Sequence, residues 1–367
     1  MLAGATLWGV SVTAPAKDAR SALEALQESG GLSLLLIRAE RGGDGNSGAL
    51  SVPTALALSV TPLLRGEEAE IVQAWSSELE QPPDEAHDTQ DDEGTILSPP
   101  KEPEEVTVTE NGVSARTLKP SDPAGYTVFG NVYINNGSDA ALDNSMLSTD
   151  YAAKCGDGPQ VLIIHTHGSE SYTMPPGQEY EATDTFRTTD TSCNMIRIGD
   201  EIAQVLTDAG LSVVHDRTLY DYPSYSGAYN RSLASIESYL EKYPSISFVL
   251  DVHRDAVQDA DGTQYKLLCG EDKNAAQLEF VIGSNGGGLS HENWHENLKL
   301  ACAVQETLYR DYPTLMRPIT VRNSRYNQQM TTGSLLIEVG TAGNSLEEAV
   351  NAARLFAAGF AETIKPS

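Results

Sequence analysis

The stretch Val161-Leu-Ile-Ile-His-Thr-His-Gly-Ser-Glu170 decides how this chain is read. Four consecutive apolar residues predict a buried strand, and polar, metal-competent side chains follow where that strand would end. Ligand sites of open α/β sheets gather at the carboxyl ends of strands. Residues two apart in a strand face one side, so His165 and His167 point together if the strand continues. A metal or catalytic site and a structural pair both fit, because short His-x-His matches are common.

Outward from this stretch the pattern alternates between strand and helix. Strands are predicted at 126–135 (ended by Asn136-Gly137), 161–164, 211–215, 247–252, 279–283 and 334–339. Helices are predicted at 194–209 (ended by Gly210), 229–242, 292–309 and 346–364. Strands separated by helices of this length imply an α/β fold with a mostly parallel sheet, flanked by helices on both faces. The glycine-rich 283–288 (GSNGGG) lacks the Lys-Ser/Thr of a phosphate loop and reads as a mobile loop.

The net charge is −28 over 367 residues, and half of it sits in one stretch. Between Gly66 and Ala115 fifteen Asp or Glu stand against Lys101 alone. With Pro82, Pro83, Pro99, Pro100 and Pro103 and few large apolar residues, this stretch cannot bury enough surface to fold alone. It reads as a solvated acidic linker, 66–123, with an acidic docking arm as the functional alternative. No Lys/Arg stripe exists to neutralise phosphates, which excludes nucleic acid as a partner. Cys155, Cys193, Cys269 and Cys302 contain no C-x-x-C pair and declare neither a zinc knuckle nor a disulfide framework.

The first segment, 1–65, reads as a membrane-proximal module with a helix at 17–28 and apolar runs at 32–37 and 55–64. Residues 2–16 (LAGATLWGVSVTAPA) are too short for a membrane span and lack the basic region of a signal peptide. They fit the trailing end of an export or anchor helix, or a short buried segment. The remainder, 124–367, is the expected catalytic domain.

Three predicted strands of that domain end alike. One runs into His165 and His167, one into His253-Arg254-Asp255, and one into Glu338. In a parallel sheet these ends share an edge. Two histidines from different strands plus carboxylates suit a Zn²⁺ site with an open position for water. Glu338 would then accept the proton of that water and return it to a leaving group. A lone His after a strand is more often structural, but three such ends in one sheet are harder to dismiss. Asp251 and Asp255 fit partners that orient the ligands.

The segments 161–172 (VLIIHTHGSESY), 250–256 (LDVHRDA) and 335–340 (LLIEVG) resemble the stage II sporulation protein P family, peptidoglycan hydrolases of endospore-forming bacteria. Supporting matches are 132–136, 194–199, 294–297, 325–327 and 343–349, so the resemblance covers about residue 126 to the end. It implies a zinc N-acetylmuramoyl-L-alanine amidase fold (phosphorylase/hydrolase-like) that cleaves the amide between muramic acid and the stem peptide's L-alanine. The family is also credited with endopeptidase activity on cross-links. Carried over by position, His167 and His253 are zinc ligands and Glu338 is the catalytic glutamate. The third ligand of related amidases is a Glu at the start of the first helix. The corresponding 190–194 (DTSCN) has none, which leaves Glu170, Asp190 or His165 for that place. Arg254 and Arg325 fit binders of peptide carboxylates, or structural ion pairs with Asp251 or Asp255, and Tyr326 and Asn327 fit the cleft wall beside Glu338. The resemblance further implies peptidoglycan as substrate and the stage II sporulation proteins D and M as partners. It implies an extracytoplasmic site at the sporulation septum and forespore membrane, with the N-terminal segment as anchor. A catalytically silent wall-binding scaffold is the second hypothesis. A metallopeptidase is weaker, because no H-E-x-x-H occurs.

Overall fold

The computed structural model describes residues 3–7, 10–14, 105–108, 114–149, 151, 156–257 and 264–364. The chain divides into two compact units, Met1–Asp88 and Thr89–Ser367. In the first, β1 (Ala3–Leu7) pairs antiparallel with β2 (Val10–Ala14), so the described part of 2–16 is extended and not helical. The expected helix at 17–28, the apolar runs at 32–37 and 55–64, and residues 66–104 lie outside the described residues. No helix among the described residues is long and apolar enough to cross a membrane.

In the second unit the strands are β3 (Glu105–Val108), β4 (Ser114–Thr117), β5 (Thr127–Phe129), β6 (Val132–Asn136), β7 (Val161–Ile164), β8 (Val213–His215), β9 (Phe248–Asp255), β10 (Lys266–Leu267), β11 (Leu278–Gly283), β12 (Ile319–Arg322) and β13 (Ser334–Thr341). The helices are α1 (Met195–Asp208), α2 (Ala228–Lys242), α3 (Trp294–Tyr309) and α4 (Leu346–Ile364). Eight strands form the main sheet in the order β5-β6-β12-β11-β13-β9-β7-β8. Neighbours are parallel except at β5–β6 and β11–β13. Beside the antiparallel edge strand β5, the sheet is therefore two parallel blocks of opposite direction, β6-β12-β11 and β13-β9-β7-β8, that meet at β11 and β13. The link from β12 to β13 carries one 3₁₀ turn, Gln328–Met330, instead of a crossover helix. Without such a crossover the chain cannot return in the same direction, and β13 runs back.

Packing follows the two-residue period of the strands. Val161, Ile163, Leu250, Phe280 and Ile337 enter a large core with α1, α3 and α4. Leu162, Ile164 and Val249 enter a smaller cluster with Ala228 and Ile236 of α2. Each fully buried Ile or Leu contributes about 1.5–3 kcal/mol. Burial on both faces leaves no register into which β7 can slip without exposing one set. The fold is thus a mostly parallel α/β sheet with helices on both faces. The second face is covered by α2 only at its β7–β9 end, and beyond it the sheet floors an open cleft.

Three expectations change. Residues 126–135 are a hairpin and not one strand: Gly130, at φ 59, turns β5 into β6. The turn is held by Glu306, which accepts from Asn131 N at 2.6 Å. β12 has no counterpart in the sequence reading, since four residues just after Pro318 give a weak periodic signal. The glycines of 283–288 serve close approach: a Cβ at Gly283 would lie 2.4 Å from Ser324 O, and Gly287 N donates to Asn323 O. In addition β4, within the span read as linker, pairs with β10 and buries Ala115, and Leu118 just after it is buried as well.

Candidate metal centre and cleft

Strand register assembles the site. Ile164 of β7 lies opposite Asp251 of β9, and His253 of β9 opposite Glu338 of β13. Alternate strand residues share a face, so Asp251 and His253 look the same way and Glu338 stands beside them. β7 ends at Ile164, and the chain leaves the sheet through a turn over 166–169. Ser169 fastens that turn to Asp221, through N at 3.1 Å and Oγ at 2.5 Å. The turn brings His167 and Glu170, three residues apart, together.

His167, Glu170 and His253 are buried, with one ligand atom from each inside 4.8 Å of the others. His167 Nδ1 lies 3.8 Å from Glu170 Oε1, and His253 Nδ1 lies 3.8 Å from Glu170 Oε2. These gaps are too wide for hydrogen bonds. They are close to the roughly 3.4 Å that separates nitrogen and oxygen ligands around a tetrahedral Zn²⁺. The donor set, two imidazoles and one carboxylate, is that of an open catalytic zinc site. The trio fits the metal.

Electrostatics points the same way. Burial pushes the His167 imidazole well below its ordinary value, toward the neutral form that ligates. Burial would lower His253 too, but the Asp251, Glu170 and Glu338 carboxylates outweigh it and raise it to about 10. Three acidic side chains around one imidazole thus call for a positive charge, which a proton on His253 or a divalent cation supplies. Asp251 links both halves. It accepts from Thr166 N at 2.8 Å and Thr166 Oγ1 at 2.6 Å, and its Oδ1 lies 3.0 Å from His253 Nε2, off hydrogen-bond angle. Asp251→Asn is expected to weaken zinc affinity about 10- to 100-fold, as read by competition against a chelating indicator. An unchanged affinity would remove Asp251 from the site.

Glu338 is not one of the trio. Its Oε2 has no hydrogen-bond partner, and the carboxylate faces a cleft of ≈ 540 Å³. Burial drives its pKa well above the ordinary value, with His253 opposing and Asp255, Glu170 and Glu279 adding to the rise. One flank of His167 is covered by Tyr225, stacked at 4.5 Å, over which Arg187 lies at 4.4 Å.

The other sequence candidates separate. His165 stays behind the trio: Nδ1 contacts Val252 O at 2.9 Å and Nε2 contacts His215 Nε2 at 2.9 Å. Burial, with His215 adding to it, lowers His165 to about 3. Asp190 accepts from Ser192 before α1 and is not in the trio. Arg254 lines the cleft but spends its donors on Ser171 O, Phe186 O and Asp255 O. Tyr326 lines the cleft. Asn327 instead donates to Tyr229 O and Ser232 Oγ, and Arg325 reaches Ser290 O outside the lining. Arg187, Tyr225, Tyr229, Glu279 and Arg322 line the cleft without a signal in the sequence, because loops and a four-residue strand carry most of them.

The family description "Stage II sporulation protein P (SpoIIP)" matches residues 62–361, beginning earlier than the resemblance over 126 onward. The stage II sporulation protein P of Bacillus subtilis (strain 168) is 28% identical over 242 residues, covering 61% of this chain and 57% of that protein. The chain thus spans little more than half the length of that relative. Among solved structures, the CwlD amidase from Clostridioides difficile, in complex with the GerS lipoprotein, aligns at 14% identity and TM-score 0.36, over 56% of this chain and 95% of that one. The N-acetylmuramyl-L-alanine amidase Ami1 from Mycobacterium smegmatis aligns at 13% identity and TM-score 0.37, over 56% of this chain and 97% of that one. By the extent of the family match, this chain belongs to the stage II sporulation protein P family.

Proposed function

We propose that this chain is a zinc-dependent peptidoglycan hydrolase that cuts the amide between N-acetylmuramic acid and the L-alanine of the stem peptide, thinning the septal wall during sporulation. The observation that carries this reading is Glu338, an uncommitted carboxylate in register with His253 on the floor of an open cleft. A silent wall-binding domain gains nothing from a carboxyl group kept without a hydrogen-bond partner beside a buried ligand set.

His167, Glu170 and His253 would hold the metal, and Asp251 would orient His253. When bound, Zn²⁺ supplies Lewis-acid polarisation of the carbonyl and lowers the pKa of a water toward about 7. Glu338 takes the proton of the attacking water and delivers it to the departing amide nitrogen. Tyr225 and Tyr229 wall the histidines on one flank and limit the approach of bulk water. The same residues suit endopeptidase cleavage of cross-links, since that reaction also attacks an amide carbonyl. Family membership supports an extracytoplasmic location at the septum, attachment through the N-terminal segment, and stage II sporulation proteins D and M as partners.

The full chain, loaded with zinc and incubated with purified peptidoglycan, is expected to release stem peptides bearing free L-alanine amino termini, as read by mass spectrometry. Removing the metal with a chelator should stop release, and adding zinc should restore it. Cross-link cleavage would appear in the same digest as new D-alanine termini. Walls unchanged at every metal loading would sink the hydrolase reading.

A further inference from the structure

We propose that Arg322 anchors a carboxylate of the stem peptide at the far end of the cleft, and so selects acidic peptides over amidated ones. This inference rests on the reading of the cleft as a peptidoglycan site.

Three arginines line the cleft, Arg187, Arg254 and Arg322. Arg254 is consumed by backbone carbonyls, as described above. Arg187 stacks on Tyr225 and lies 3.9 Å from both Glu170 Oε1 and Asp184 Oδ2. Arg317, under the floor, is clamped between Asp255 and Glu279. The Arg322 carbonyl accepts from Ser284 N and Oγ, but its guanidinium, alone of the lining arginines, makes no hydrogen bond or ion pair among the described residues. Glu279 feels its charge only from further off, and the residue is half-buried. A planar guanidinium without a direct partner in a recess presents paired donors that match a carboxylate.

Register places this cation relative to the reacting centre. Arg322 of β12 lies opposite Gly283 of β11, and Glu279 of β11 lies opposite Glu338 of β13. Four residues along the strand and two strand spacings separate Arg322 from Glu338, about 13 Å by about 10 Å, or about 16 Å between backbones. The arginine side chain covers several of those ångströms. Between the two ends the floor is apolar, formed by the register pair Val281 and Leu336. An extended peptide advances about 3.4 Å per residue. A chain whose scissile amide sits by Glu338 would therefore bring a carboxylate two to four residues further on to Arg322. The net charge of −28 makes a local cation the more necessary for an acidic ligand.

The test uses the zinc-loaded full chain with two synthetic muramyl tetrapeptides, one with free carboxylates at its third and fourth residues and one amidated there. The matching free tetrapeptides, which lack the scissile amide, are titrated calorimetrically. Wild type is expected to bind the acidic tetrapeptide about 10- to 100-fold tighter than the amidated one. Arg322→Gln should erase that preference, raise KM for the acidic substrate by a similar factor and leave kcat within about twofold. Arg322→Lys should recover part of the preference. Absence of a preference in wild type, or equal loss of both peptides in the variant, overturns the anchor. A wild type that prefers the acidic peptide yet cleaves neither substrate keeps the anchor and removes the hydrolase reading instead.

Discussion

Replacing Glu338 by glutamine is expected to lower turnover on peptidoglycan about 10²- to 10⁴-fold while the zinc content stays that of wild type. Glutamine keeps the size of the side chain but cannot take the proton of water or return it to the amide nitrogen. The metal should persist because the trio is complete without Glu338. A variant that loses its zinc would show instead that Glu338 is a ligand. The same substitution carries a second signature in the metal-free protein. The folded protein holds the Glu338 pKa well above the ordinary 4.5, so it binds this proton more tightly than the unfolded chain does. Stability contributed by that proton is present below the unfolded value and is lost as pH rises through the folded one. Glu338→Gln should therefore melt close to wild type near pH 4 and increasingly above it as pH rises, measured by thermal unfolding in chelator. A gain independent of pH would mean that the carboxylate is not strained in the fold. Activity traded against stability in this way is common for groups kept unpaired for chemistry.

Much of this site was legible because its parts fall at strand ends. An apolar run such as Val161–Ile164 reads as buried, and the first polar residues after it mark the sheet edge. The expectation that three strands run parallel holds for β7, β9 and β13, though the sheet as a whole reverses at β11. Residues past the strand have no period to read. In the turn after Ile164, His165 goes beneath the trio while His167 and Glu170 enter it, and only the turn geometry separates the two histidines. Arg322 and Arg325 pose a similar problem. They stand three residues apart in one sequence segment, yet one lines the cleft and the other reaches Ser290 O. Their difference is set by β12, whose four residues the sequence reading did not find.

Arg317→Met is expected to destabilise the protein by about 3–5 kcal/mol, the range for breaking a buried charge network from one side. Arg317 is 2% exposed and holds Asp255 Oδ2 at 2.7 Å and Glu279 Oε2 at 2.8 Å. Methionine fills part of the volume but leaves two cleft-lining carboxylates, Asp255 and Glu279, without that counter-charge. Glu279 sits opposite Glu338 in the sheet, so the loss reaches the reacting group as well. The pKa of Glu338, already raised, should rise further once a nearby positive charge is gone. A general base must be deprotonated to act, so the acidic limb of the kcat–pH profile should move to higher pH in Arg317→Met. Adding Glu279→Gln to the same protein removes one of the orphaned charges. The double variant should regain part of the lost stability and bring the acidic limb back down. Urea denaturation gives the first result and the pH profile the second. If Arg317→Met unfolds like wild type, the network does not support the floor. If stability falls but the limb stays where it was, Arg317 holds β11 in place without setting the charge state of Glu338.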